Sequence, residues 1–229
     1  MDYQTKKEFL GFLSGYLTEN RRKLFDKVIQ YRTRHITVVL EDIFQPHNAS
    51  AVLRSADLTG VQDIHIIENR NQYHINPEVA LGSSKWLNLI KYNKARDNTL
   101  AAYDALRKAG YRIVATTPHT DDQTLDNISI DGKMALIFGT ELKGLSETAI
   151  ENADEYLRIP MYGFTESYNI SVSAALILFT LTEKLRKSSI PWQLSEEEKL
   201  DIIIEWAKRT IKHAELFEKE FLQQGKSSR

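Results

Sequence analysis

Between residues 36 and 187 short β-branched runs alternate with segments of helical period, and this alternation most constrains what the chain can fold into. Ile36–Leu40, Asp63–Glu68, Leu87–Tyr92, Tyr111–Thr116, Met134–Phe138 and Tyr156–Ile159 read as strands. Helices are expected after Pro46, over Asn98–Ala109 closed by Gly110, over Ser146–Ala153 and over Asn169–Arg186. Strands separated by helices demand crossover connections, so the expectation is an α/β domain on a mostly parallel sheet, with ligands at the carboxyl ends of the strands. Asn48 and Gly60 are the expected caps of the helix after Pro46.

The flanks differ in texture. Thr5-x-x-Glu8, read as a capping box, precedes Phe9, Phe12, Leu13 and Tyr16, and a second helix is expected over Asn20–Tyr31. Residues 1–35 carry eight Lys/Arg against four acids in a chain whose overall formal charge is −1. That local excess suits phosphate even though the whole chain is no polycation. Ser188-Ser189-Ile190-Pro191 reads as a linker, and Ser195-x-x-Glu198 opens one long C-terminal helix with a stripe from Leu200 to Phe221. The expected division is a basic helical arm (1–35), an α/β domain (36–187) and a helical extension (188–229).

Several function classes drop out. The chain has no cysteine, which removes thiol catalysis, disulfides and Cys-ligated metals. The six histidines (35, 47, 65, 74, 119 and 213) show no metal-binding spacing, so no metal is expected. No Gly-x-Gly occurs, which argues against dinucleotides. Phe138-Gly139-Thr140-Glu141-Leu142-Lys143-Gly144-Leu145 has the outline of a phosphate loop, but Leu145 stands where that loop needs lysine and Glu141 puts a carboxylate beside the glycines. The longest apolar run, Ala174–Phe179, is far too short for a membrane span, and the first residues lack an apolar signal core, so a cytoplasmic protein is expected.

Three segments carry the chemistry: Asn48…Arg54-Ser55-Ala56-Asp57…Gly60; Phe138-Gly139-Thr140-Glu141…Gly144-Leu145-Ser146; and Ile159-Pro160-Met161…Ser167-Tyr168-Asn169-Ile170-Ser171. On residue type alone, Arg54 reads either as a surface arginine paired with Asp57 or as a phosphate-holding guanidinium near a helix N-terminus. In this order the segments resemble the three motifs of the SPOUT superfamily of RNA methyltransferases. Thr37–Asn48 and Gly82-Ser83-Ser84-Lys85-Trp86 look most like its TrmH group, which methylates the ribose of guanosine 18 in the tRNA D loop.

The resemblance implies a SPOUT-type parallel sheet with a deep C-terminal trefoil knot, an exception to the rule against knots, flanked by N- and C-terminal helices. It implies S-adenosylmethionine as cofactor, tRNA or another structured RNA as substrate, and a homodimer. Carried over by motif, Thr116, Gly139, Thr140, Glu141, Gly144, Ile159, Met161, Tyr168, Asn169 and Ser171 bind the cofactor. Arg54 is the catalytic arginine, supported by Asn48, Glu141, Ser167 and Asn169. An arginine pKa above about 12 makes it a poor base, so its expected work is to hold a phosphate and stabilise alkoxide charge. Arg21, Arg22, Lys23, Lys27, Lys85, Arg186 and Lys187 are the expected RNA contacts. Tyr168 stands where leucine is common in the family and Glu166 where glutamine is. The alternatives are methylation of ribosomal RNA or another tRNA position, and an RNA-binding protein without catalysis.

Overall fold

Ile36–Glu41 is buried at all six positions, as expected for a parallel strand covered on both faces. A computed structural model describes residues 1–74, 76–118, 123–140 and 143–227, the side chains of residues 77 and 224–227 excepted. In chain order the elements are α1 (Tyr3–Ser14), α2 (Glu19–Ile29), β1 (Ile36–Glu41), α3 (Pro46–Thr59), β2 (Asp63–Ile67) and α4 (Pro77–Ala80). After a 3-10 turn at Ser83–Lys85 come β3 (Asn88–Tyr92), α5 (Asn98–Lys108), β4 (Tyr111–Thr116), β5 (Gln123–Thr124) and β6 (Lys133–Phe138). The chain continues with α6 (Glu147–Glu151), β7 (Glu155–Arg158), α7 (Ile170–Arg186), α8 (Glu196–Thr210) and α9 (Ala214–Ser227).

Residues 33–192 form one compact unit. Its seven strands pair in the order β3-β2-β1-β6-β4-β7-β5, every pairing parallel. Side chains alternate across the strands, so each strand feeds two cores. Val38, Leu40, Val114 and Leu136 pack with Val52, Leu53, Ile177 and Leu181 of α3 and α7. Val39, Ile113 and Ile137 pack with Ala102, Tyr103 and Leu106 of α5 and Ala149 of α6. α3 ends on Gly60 at φ +83°, the left-handed conformation that closes a helix and that glycine adopts without a Cβ penalty.

Residues 1–32 and 193–229 make a second unit. Here α1 and α2 both pack on α8. Trp206 is buried, with Phe25 at 5.4 Å between ring centroids and the Arg32 guanidinium 5.3 Å from its ring. Phe221 packs on Phe9 and Phe217 on Tyr16. The extension therefore folds onto the N-terminal helices of its own chain.

Several boundaries differ from expectation. Asp2, not Thr5, caps α1, accepting from the Thr5 amide. α3 begins at Pro46, whose ring presets the helical φ and removes an N–H that would have no partner there. Asn48 thus lies inside the first turn and donates to Gln45 Oε1. The long C-terminal helix is two helices: Ile211 turns extended at φ −84° and ψ 128°, and His213 turns left-handed at φ 58°. The capping box of Ser195 and Glu198 is present. β5, two residues long, and α4, four residues long, carry too little pattern to read from sequence.

His65, on β2, has its pKa lowered from 6.5 to about 4, because burial outweighs the opposing charge of Asp63. Its Nδ1 is 2.9 Å from the Tyr92 hydroxyl. The unfolded chain binds this proton first, so the stability from neutral His65 is complete above about pH 6.5 and is lost as pH falls toward 4. Urea titrations from pH 7 to 4 should show His65→Gln less stable at neutral pH. Its loss of stability with acid should be shallower than the parent's by up to one proton, ~1.4 kcal/mol per pH unit.

Candidate functional site

The carboxyl ends of β4, β6 and β7 open into one cavity of about 290 Å³. Thr116, at the end of β4, donates its hydroxyl to the Ile137 carbonyl at 2.7 Å and so binds the ends of β4 and β6 together. β6 then enters a tight loop in which Thr140 and Gly144 exchange backbone hydrogen bonds of 2.8 and 3.0 Å. Gly139 faces the returning strand of this loop. A Cβ there would land on the Gly144 carbonyl and the Leu145 amide, both backbone atoms that have no side-chain freedom to yield. Gly144 itself takes φ +67°. Ser146 ends the loop and caps α6 by accepting from the Ala149 amide.

This loop is held from below. Glu41, 2% exposed, ends β1 and accepts from the Ser146 amide at 2.9 Å, the Ser146 hydroxyl at 2.8 Å and the Thr99 hydroxyl at 2.6 Å. Each carboxylate oxygen therefore has a donor, which the burial of a charge requires.

Thr116, Gly139, Thr140, Gly144, Ile159, Met161, Ser167 and Tyr168 come together around the cavity. Glu166 joins them. Asn169 and Ser171 are not part of this lining. Asn169 caps α7, its Oδ1 accepting from the Ser171 amide at 2.9 Å and hydroxyl at 2.6 Å. Its Nδ2 donates to Asn48 Oδ1 at 3.2 Å, which joins the start of α7 to the first turn of α3. Arg54 lies outside the cavity lining. It is exposed on α3 and pairs with no described residue, Asp57 included. Glu141 lies outside the described residues, as does His119. Among the described residues no group of His, Cys, Asp or Glu could hold a metal ion, and no helix is long and apolar enough to cross a membrane.

The expected RNA contacts fall in several places. Arg21, Arg22, Lys23 and Lys27 all lie on α2, where Lys23 pairs with Glu19 at 2.6 Å. Lys85 sits over the Trp86 ring, and Lys187 lies 3.9 Å from Glu183. Arg186 is tied inward, donating to the Thr59 carbonyl at 2.6 Å and stacking over Trp192.

Sequence reasoning passed over Thr117, Pro118, Lys143, Ser173 and Ile177, all of which line the cavity. Thr117 and Pro118 continue β4 beyond its carboxyl end, the position from which α/β sheets supply ligand contacts. Ser173 and Ile177 are four residues apart on α7 and share one helix face.

The donors and surfaces of the cavity suit a nucleoside attached to an amino acid. Backbone groups of Gly139, Thr140, Gly144 and Leu145 offer polar edges, while Pro118, Ile159 and Met161 supply apolar walls. Lys143 is the one cation among its described lining residues, and Glu166 adds a carboxylate. S-adenosylmethionine, cationic at sulfur and without phosphate, fits that set.

Residues 35–179 match the SpoU rRNA Methylase family. The chain belongs to this family. A SpoU relative from Borreliella burgdorferi, a tRNA (guanosine(18)-2'-O)-methyltransferase, is 44% identical over 209 residues, covering 91% of this chain and 94% of that protein. The TrmH/SpoU tRNA modifying enzyme of Aquifex aeolicus superposes with a TM-score of 0.73 at 30% identity, over 84% of this chain and 98% of that one. The SpoU methyltransferase AviRb from Streptomyces viridochromogenes, solved with AdoMet, shares the fold with a TM-score of 0.58 at 21% identity, over 71% of this chain and 62% of that one.

Gly139→Ala should lower stability by about 1–3 kcal/mol, because the added methyl forces backbone apart. Chemical denaturation reads this. An unchanged midpoint would mean that the loop is looser than its geometry implies.

Proposed function

We infer that this SpoU protein transfers a methyl group from S-adenosylmethionine to the ribose 2′-hydroxyl of guanosine 18 in tRNA. The observation that carries the reading is the identity to the Borreliella enzyme, which runs over nine-tenths of both chains. The cavity supports the cofactor: Gly139, Thr140, Gly144, Leu145, Thr116, Ile159, Met161 and Tyr168 would hold it. Asn169 and Ser171 would support it from the start of α7, and Glu141 by its place in the loop motif. When bound, it supplies a methyl group on a cationic sulfur, open to in-line attack by oxygen.

Arg54 contributes charge. An arginine keeps its proton near neutral pH, so it holds a phosphate next to the target ribose and stabilises the oxyanion as it forms. Water or a substrate phosphate takes the hydroxyl proton. The Asn48–Asn169 hydrogen bond fixes the start of Arg54's helix against the start of α7. Ser167 stands at the cavity edge as a polar group for the substrate. Arg21, Arg22, Lys23 and Lys27 of α2 would contact RNA backbone from the helical unit; on the sheet unit Lys85 and Lys187 would do the same, with Arg186 held between Thr59 and Trp192.

The trefoil knot and the homodimer belong to the same reading. Support for the knot comes from the strand order, in which β6 and β7 flank β4 on opposite sides before α7 returns to α3. Support for the dimer comes from Val172, Leu176 and Phe179, exposed at helical spacing on α7, and from the fully exposed Phe164. A tRNA substrate gives the protein its work in the cytoplasm.

Labelled S-adenosylmethionine and unmodified tRNA transcripts should yield 2′-O-methylguanosine in the D loop. Transfer to ribosomal RNA alone would keep the chemistry and replace the substrate. Cofactor binding without transfer to either RNA would remove the enzymatic reading.

Arg54→Ala should cut kcat by about 10²–10³-fold, the scale of losing one group that stabilises an oxyanion. Cofactor affinity should be unchanged, since Arg54 does not line the cavity. Arg54→Lys should recover part of the rate if charge suffices without the planar guanidinium fork. Wild-type turnover in Arg54→Ala would take the arginine out of the mechanism.

A further inference from the structure

A second, larger cleft of about 590 Å³ lies on the other side of the 140–146 loop, at the carboxyl end of β1. Thr140, Lys143, Gly144 and Leu145 line both cavities, so one loop is the wall between them. Among the described residues three carboxylates and three cations line the cleft, and their circumstances are opposite.

Every carboxylate is engaged by neutral donors. Glu41 is filled by Thr99 and Ser146. Asp42 Oδ1 accepts the amides of Asn69, Arg70 and Asn71 at 2.7, 2.8 and 3.3 Å. Asp97 caps α5 through the amides of Thr99 and Leu100. Arg70, Arg96 and Lys143 are exposed, and their side chains pair with no described residue. Among the described lining residues, the charged donors left for a ligand are thus two guanidinium forks and an ammonium, a set that matches phosphate oxygens. Phe44, 70% exposed, lines the same cleft and offers a flat apolar face. A phosphate beside an aromatic platform is the chemistry of a single-stranded nucleotide.

Resting on the RNA-methylation reading, we propose that this cleft is a subsite for an unpaired nucleotide flanking the methylated ribose. Arg70, Arg96 and Lys143 hold its phosphodiester and Phe44 stacks on its base. A strand crossing the 140–146 loop then has its target ribose at the cofactor cavity and a neighbouring nucleotide in the cleft. The subsite fixes position along the strand and contributes salt-sensitive affinity.

The test uses the full chain, unmodified tRNA transcript and the double variant Arg70→Gln/Arg96→Gln. Lys143 stays intact because it also lines the cofactor cavity. Both substituted side chains are exposed and unpaired, so stability should hold to within ~0.5 kcal/mol. The dissociation constant for tRNA should rise about tenfold or more near 0.1 M salt. The slope of log affinity against log salt should flatten by about one to two. Phe44→Ala should weaken binding at every salt concentration and leave the slope unchanged. Cofactor affinity should match the parent in all variants.

Parental tRNA affinity and parental salt slope in the double variant would overturn the subsite. So would a loss confined to pyrophosphate binding, which would make the cleft a small-anion site. Failure of the methylation reading would look different: the parent itself would transfer no methyl to tRNA, whatever the cleft variants bind.

Discussion

Glu41 is the interaction on which the architecture of both cavities depends. It ends the central strand β1, and its two oxygens take the hydroxyl of Thr99, which opens α5, and both donors of Ser146, which opens α6. A charge this buried is tolerable only while all those donors are in place. The converse also holds: the donors settle where the carboxylate puts them. Thr140 is held by β6 and by its backbone pairing with Gly144, and Ser146 is held by Glu41. Ser146, which closes the wall between the two cavities, is therefore placed by a residue that lines only one of them.

α7 plays a comparable role on the opposite face of the sheet. Its first turn is closed by Asn169, its inner face packs in the core through Ile177, Leu178 and Leu181, and Ser173 and Ile177 reach the cofactor cavity. The hydrogen bond from Asn169 to Asn48, together with the packing of Val52 and Leu53 on Ile177 and Leu181, carries this placement to α3, the helix that bears Arg54. Residues more than a hundred positions apart in the chain thus share one local geometry.

Much of the strand-and-helix pattern was legible because burial on both faces leaves uninterrupted apolar runs, as in Ile36–Leu40 and Met134–Phe138. The glycine loop was legible for a steric reason: Gly139 stands where backbone leaves no room for a side chain. The cap of α3 was misread because Asn48 is a good capping residue in isolation. Pro46 starts the helix two residues earlier and turns Asn48 inward. The break after α8 was missed because the stripe from Leu200 to Phe221 keeps its period across it, while the break itself rests on the backbone of Ile211 and His213. Glu41 left a weak signal, a charged residue closing an apolar strand, and its meaning depends on Thr99 and Ser146, which sequence spacing does not connect. Parallel pairing of β1 with β6, almost a hundred residues later, is likewise a property of the folded chain.

The unit built from residues 1–32 and 193–229 joins α1 and α2 to helices made about 170 residues or more later. Phe9, Phe12 and Phe25 emerge early, and their partners Phe221, Phe217 and Trp206 emerge only after the whole sheet has been synthesised. At about 5–20 residues per second, the apolar faces of α1 and α2 wait roughly ten to forty seconds for α8 and α9. The sheet unit between them is complete only once α7, the partner of α3, has been made. Synthesis from N- to C-terminus therefore makes α8 and α9 after every strand, and a chain cut at residue 192 would leave the aromatic faces of α1 and α2 uncovered.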